Sequence, residues 1–193
     1  MNRSLGRLLL LVALPLVAAP PAAAQAPVEA RITTVIDGDT IRVRPAASGR
    51  VTTVRLLGID TPETRAPNRP VECGGAQATA SLRRLALDAG GGDGREARLR
   101  TDPTQDRRDR YGRLLAYVDA GGQDLGAEQV RAGWAKVYVF RRPFQALARF
   151  EALQREARTA RRGVWGACGG DWDRPAAVSA RRGGLLAPLG TSA

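Results

Sequence analysis

Three β-branched runs crowd residues 30–59, and the gaps between them are too short to hold anything but turns. The runs are ARITTVI (residues 30–36), TIRVR (40–44) and VTTVRLLGI (51–59). Val, Ile and Thr suit a pleated, half-buried surface, so each run is predicted to be a strand. Asp37-Gly38 is a strong hairpin dipeptide and joins the first two runs. The segment PAASGR joins the second to the third. Asp39 follows the turn and is not required to be acidic for the turn to form. Its carboxylate is therefore a candidate for a second role, while Asp37 reads first as a turn residue that could also influence a site beside it.

The rest of the chain supplies helices and two more strands. A Pro-rich loop, DTPETRAPNRP, precedes a predicted helix over residues 75–89, with Leu82, Leu85 and Ala86 on its apolar face and Gly90-Gly91-Gly92 ending it. EARLRTD and LLAYVDA read as a strand pair around the polar stretch 102–113. DLGAEQVRAG reads as a short helix stopped by Gly133, and AKVYVF as a short extended piece. Leu147, Phe150, Leu153 and Ala157 have the spacing of one buried face on a long helix over 144–161. Five short strands, with a helix inserted before the fourth, predict an α+β domain: a five-stranded OB-fold β-barrel with about three helices. The expected organisation is a signal peptide (1–24), a linker (25–29), the barrel domain (30–168) and a disordered tail (169–193) rich in Gly, Pro, Ala and Arg.

Composition narrows the chemistry. Histidine is absent, which removes Ser-His-Asp and Cys-His catalysis, His-based zinc sites and a His general base. Two cysteines are too few for a zinc cage. Catalysis must then rest on carboxylates, Arg, Tyr or a hard metal held by oxygen. The formal net charge of +11 favours a polyanionic partner, unless it only records an Arg-biased composition; Lys136 is the sole lysine. Arg3 and Arg7, the apolar run 8–19 and the Ala22-Ala23-Ala24 site have the layout of a secretory leader, the alternative being an uncleaved anchor. Export to the periplasm or beyond would make Cys73 and Cys168 a disulfide, contributing roughly 4–5 kcal/mol through loop closure. Two unrelated thiols are the other reading.

The decisive stretch is VRLLGIDTPET, residues 54–64. It sets Arg55 in an apolar strand and Asp60 and Glu63 at that strand's end. An Arg in such a strand is costly unless it meets an anion. Asp39 and Asp60 fall at the mouths of neighbouring predicted strands, where a divalent cation would relieve their repulsion; Ca²⁺ suits such oxygen donors. Glu63 is near enough to act on a water, and Arg113, in DRYGR, adds a second guanidinium. Two Arg and a metal match what a phosphodiester's oxygens need in the transition state.

VIDGDT, VRLLGIDTPET, DRYGRLLAYV, VRAGWAKV and GVWG, in this order across residues 30–166, resemble the staphylococcal nuclease (thermonuclease) family. The resemblance implies that Asp39 and Asp60 bind Ca²⁺ together with the backbone carbonyl of Thr61. It implies that Arg55 binds the phosphate, that Glu63 is the catalytic base or orients the attacking water, and that Arg113 stabilises the pentacoordinate charge. Tyr111 and Tyr138 would contact the nucleotide. The implied activity is Ca²⁺-dependent cleavage of DNA and RNA with little sequence preference, leaving 3′-phosphates, by a secreted or periplasmic monomer without stable membrane insertion. Departures are Gly74 and Gln77, where the family often has Tyr and Glu, and a longer loop at PTQDRR. Trp134 and Trp165 read as structural. The competing reading is a non-catalytic OB-fold module that only binds nucleic acid.

Overall fold

The computed structural model describes residues 26–64, 71–87 and 94–172. The expected leader, and the expected tail beyond residue 172, lie outside them. The barrel strands are β1 (Val28–Val35), β2 (Thr40–Pro45), β3 (Thr52–Leu56), β5 (Glu96–Arg100) and β6 (Leu114–Ala120). They run in the order β3-β2-β1-β5-β6, antiparallel throughout, and a parallel pairing of Val54–Leu56 with residues 114–116 closes the sheet on itself. This is the predicted α+β OB-type barrel. Closure removes the exposed edges that an open sheet would present.

The inward residues follow the two-residue period: Ile41 and Val43 on β2, Val54 and Leu56 on β3, Ala97 and Leu99 on β5. β1 breaks the rule. Ala30 and Ile32 point in, then Val35, because the β1–β2 register slips between Ile32 and Thr34. The extra residue flips the phase, so the end of the strand delivers Val35 to the core. β1 begins at Val28, so residues 28 and 29, read from sequence as linker, are strand.

Two short strands complete the frame: β4 (Ile59–Asp60) pairs with β8 (Lys136–Val137), and β7 (Gln123–Asp124) folds back on β6. Four helices pack around the barrel, one more than expected: α1 (Gly75–Ala86), α2 (Leu125–Arg131), α3 (Leu147–Thr159) and the single turn α4 (Val164–Ala167). α1 ends before residue 89 because Leu87 is already extended. α3 buries Phe150, Leu153 and Ala157 as its spacing predicts, but it starts at Leu147, not Phe144. The Phe144 ring is instead in the core, 5.5 Å from Phe150 and lying over Gly58, where any Cβ would collide with it.

The sequence pieces VRAGW and GVWG meet in space. Val164 N–H donates to Gly133 O (2.9 Å), and a Cβ on Gly163 would lie 2.3 Å from that same oxygen. A side chain is excluded at this contact, and Gly163 also holds φ 52°. Cys73, just before α1, is joined to Cys168, just after α4, across 95 positions of sequence. Gly169 to Trp172, read as the start of the tail, continue this packing: Gly170 N–H donates to Val164 O, and Lys136 Nζ lies 4.0 Å from the Trp172 ring.

Candidate active site

A cleft of about 990 Å³ opens where the ends of β2 and β3 meet β4 and the two loops around residues 105–113 and 138–144. Asp37, Asp39, Arg55, Asp60, Glu63, Tyr111, Arg113 and Tyr138 all line it. Residues far apart in sequence are thus gathered on one surface. Thr61 lies behind them, buried.

The β1–β2 turn builds the first wall. Asp37 Oδ1 accepts from Asp39 N–H (3.1 Å), an Asx turn that aims the next side chain inward. Gly38 is needed because a Cβ there would meet Thr61 Oγ1 at 2.7 Å and Ala78 Cβ at 2.8 Å. The Gly38 carbonyl accepts from Gln129 Nε2 (2.8 Å), a fully buried amide on α2 that also donates to Ala78 O. Sequence reasoning passed over Gln129; a glutamine on the buried face of a short helix was the available signal.

Asp39 is buried and heavily hydrogen-bonded. Its Oδ1 accepts from Thr40 Oγ1 (2.9 Å), and its Oδ2 accepts from the Thr61 N–H and Thr61 Oγ1 (both 3.0 Å). Arg55 Nη2 reaches the same Oδ2 at 3.0 Å and Asp60 Oδ1 at 2.8 Å, while its Nη1 donates to Ile59 O (2.7 Å). Arg55 therefore sits between the two acids and compensates both.

The acids still crowd one another. Burial, with the charge of Asp39 added, raises Asp37 above the ordinary carboxylate range. Burial raises Asp60 too, although Arg55 opposes it. Glu63 is pushed up to about 7 by burial and by Asp39, Asp37, Asp60 and Glu72. Carboxylates converging with no histidine or thiolate make a donor set for a hard, oxygen-seeking cation. Among the described residues, no three acidic or thiol side chains are yet gathered closely enough to hold an ion by themselves. The donor atoms are oxygens of the kind a hard cation takes, and Arg55 Nη2 lies between Asp39 Oδ2 and Asp60 Oδ1.

Arg113 is braced from its own loop. Asp109 Oδ2 accepts from Arg113 Nε (2.6 Å), and Asp109 Oδ1 accepts from the N–H groups of Tyr111 (2.9 Å) and Arg113 (3.0 Å). Burial raises the Asp109 carboxyl, but these bonds outweigh it and hold the group below the usual range. The spacing in DRYGR could have disclosed this brace. Tyr111 is 67% exposed, and Tyr138 and Phe140 are 47% and 55% exposed, their rings stacked at 6.5 Å. These are flat apolar faces in a cationic surround, suited to nucleobases. Phe140 was missed by the sequence reading. The longer loop at 103–108 docks on the 138–144 segment: Gln105 Nε2 donates to Arg142 O and Pro143 O (both 3.1 Å).

A family profile described as "Staphylococcal nuclease homologue" matches residues 53–167. The chain is 33% identical to a "Thermonuclease" of Staphylococcus hyicus, over 70% of this chain and 74% of that protein. It is 36% identical to the "SPbeta prophage-derived endonuclease YokF" and 36% identical to the "Endonuclease YncB", both of Bacillus subtilis. These matches take in 76% and 69% of this chain and only 47% and 60% of the two Bacillus proteins.

Proposed function

Since the chain belongs to the staphylococcal nuclease family and is a nuclease-type hydrolase, we propose that it is an exported, Ca²⁺-dependent endonuclease that cleaves DNA and RNA with little sequence preference and leaves 3′-phosphates. The observation that carries this reading is the convergence of Arg55, Arg113 and Glu63 on one cleft with Asp39 and Asp60. In this reading the non-bridging oxygens of the scissile phosphate meet the Arg55 and Arg113 guanidiniums. Glu63 accepts a proton from water as the water oxygen bonds to phosphorus. The bond from phosphorus to the 5′ oxygen breaks, the proton taken by Glu63 passes through solvent to that oxygen, and the phosphate stays on the 3′ side. Arg113, rigid on its Asp109 brace, lowers the charge cost of the crowded phosphorus.

Asp39, Asp60 and the Thr61 carbonyl would hold Ca²⁺, which supplies positive charge to the phosphoryl oxygens. Tyr111 and Tyr138 would carry the bases, and the +11 charge would draw the polyanion in. The scheme calls on no residue of a second copy, and the proposed state is a monomer. The Cys73–Cys168 bond supports an oxidising compartment, the periplasm or the exterior. Among the described residues no helix is long and apolar enough to cross a membrane.

The test is single-turnover cleavage beside oligonucleotide binding. Glu63→Gln is expected to slow cleavage at least about a hundredfold while leaving Ca²⁺-dependent binding intact. Undiminished cleavage by that variant would refute the role of Glu63. Binding without any cleavage by the parental protein would favour the non-catalytic module.

A further inference from the structure

Glu63 is half out in the cleft, yet its main chain is fastened on both sides to one residue. Its N–H donates to Glu72 Oε2 (2.8 Å), and its carbonyl accepts from Glu72 N–H (3.1 Å). Glu72 is followed at once by Cys73, which is bonded to the buried Cys168. The Glu72 carbonyl accepts in turn from Gly75 N–H (3.2 Å), at the first residue of α1. Gly74, at the start of α1, makes no side-chain cap, and the first turn of α1 carries no acidic residue. The usual means of fixing a helix start is absent there, and a covalent tether stands in its place.

From this arrangement we propose that Glu72 is a positioning residue for Glu63 and that the Cys73–Cys168 disulfide holds Glu72 in register, so that turnover depends on the oxidised protein. The proposal rests on the reading of Glu63 as the group that acts on water. A dithiol reductant passes two electrons to the disulfide and becomes a disulfide itself, and the two sulfurs leave as thiols. Glu72 then keeps its hydrogen bond from Gly75 N–H but loses the covalent anchor at its next residue, and the Glu63 main chain is held by a less firmly placed partner. A displacement of about 1 Å in a reacting group can cost up to about a hundredfold in rate. The chain would be nearly idle in a reducing compartment and active after oxidation.

The experiment measures kcat and KM on single-stranded DNA in Ca²⁺ for oxidised Glu72→Ala and Glu72→Gln, and for a Cys73→Ser/Cys168→Ser double variant with and without Glu72→Ala. Glu72→Ala is expected to lower kcat about tenfold or more with KM within about twofold. Glu72→Gln, whose amide oxygen can still accept from the Glu63 N–H, should retain most of kcat. The serine pair should lose kcat similarly, and adding Glu72→Ala to it should cost little more, because both changes break one linkage. Parental kcat in oxidised Glu72→Ala, or equal losses in Glu72→Ala and Glu72→Gln, would overturn the proposal. So would independent, multiplying losses from Glu72→Ala and the serine pair. If circular dichroism shows the serine pair unfolded at the assay temperature, parental kcat before and after dithiol reduction, at a temperature where the reduced protein stays folded, takes its place, and an unchanged kcat overturns the role of the disulfide. A parental rate in Glu63→Gln would instead refute the role of Glu63 on which the proposal rests, and is read separately.

Discussion

Replacing Arg55 by Ala should weaken the metal-free protein and strengthen its hold on Ca²⁺. In the structure the Arg55 side chain is 13% exposed and satisfies Asp39 Oδ2, Asp60 Oδ1 and two carbonyls, those of Leu56 and Ile59. Breaking a buried ion pair costs about 3–5 kcal/mol, because the partner is left uncompensated. The Asp60 side chain is 41% exposed, so water screens its share, and the expected loss is about 2–4 kcal/mol. For a domain of this size that lowers Tm by about 6–12 °C, at about 3 °C per kcal/mol. In the proposed reading the same guanidinium competes with Ca²⁺ for the Asp39 and Asp60 oxygens. Removing it should tighten Ca²⁺ binding by about tenfold, well within the interaction of two charges about 4 Å apart near a protein surface. Calorimetric titration with Ca²⁺ and thermal melts with and without the ion provide the assay. The Tm deficit of the variant should shrink in saturating Ca²⁺ while cleavage stays strongly impaired. A Tm deficit unchanged by Ca²⁺, or Ca²⁺ affinity equal to or weaker than the parent's, would refute the idea that Arg55 and the cation share these carboxylates.

Asp102 is buried and accepts from Tyr117 Oη (2.6 Å), Gln145 N–H (2.7 Å) and Thr104; burial alone would raise its carboxyl, but these bonds leave it below the ordinary range. A depressed carboxylate contributes fully above its unfolded value near 3.9 and loses that contribution as pH falls through the lower folded value. Urea unfolding should therefore show Asp102→Asn less stable by about 1–3 kcal/mol at pH 7, with the gap to the parent closing towards pH 3. Gly163→Ala, with a Cβ 2.3 Å from Gly133 O, should cost more than about 2 kcal/mol, whereas Gly112→Ala, at φ 78° but with open space around it, should cost only about 1 kcal/mol. Similar losses for the two glycines would show that backbone conformation outweighs the close contact. Tyr111→Ala, at an exposed ring, should shift stability by less than about 0.5 kcal/mol yet weaken oligonucleotide binding by about 1–3 kcal/mol, read by fluorescence anisotropy.

The limits of sequence reading follow the range of the forces involved. β1 to β3 were legible because side-chain alternation and turn dipeptides act over neighbours. The slip between Ile32 and Thr34 was not, since the period is restored only through pairing with β2. The start of α3 was misplaced by three residues because Phe144 has the right spacing for the helix but finds a better burial over Gly58. α4, a single turn, is too short to show a period, and it exists where Gly133 and Gly163 let two backbones touch.

At the site, the chemical identities were legible and the pairings were not. Absence of histidine, the acids at 39, 60 and 63, and the arginines at 55 and 113 state by themselves that oxygen-held cation and guanidinium chemistry is available. Which groups stand against one another is set by folding. Asp39 and Asp60 belong to different strand ends, and only the β2–β3 pairing, Thr40 opposite Arg55, sets Arg55 between them. Glu72 is nine positions from the residue it fastens, and its neighbour Cys73 is tied to Cys168, 95 positions further along the chain. Composition and local pattern are properties of the chain, so the sequence alone determined strands, turns and the available chemistry. Charge compensation, burial and covalent tethering depend on distances between remote residues, and those exist only once the barrel has closed.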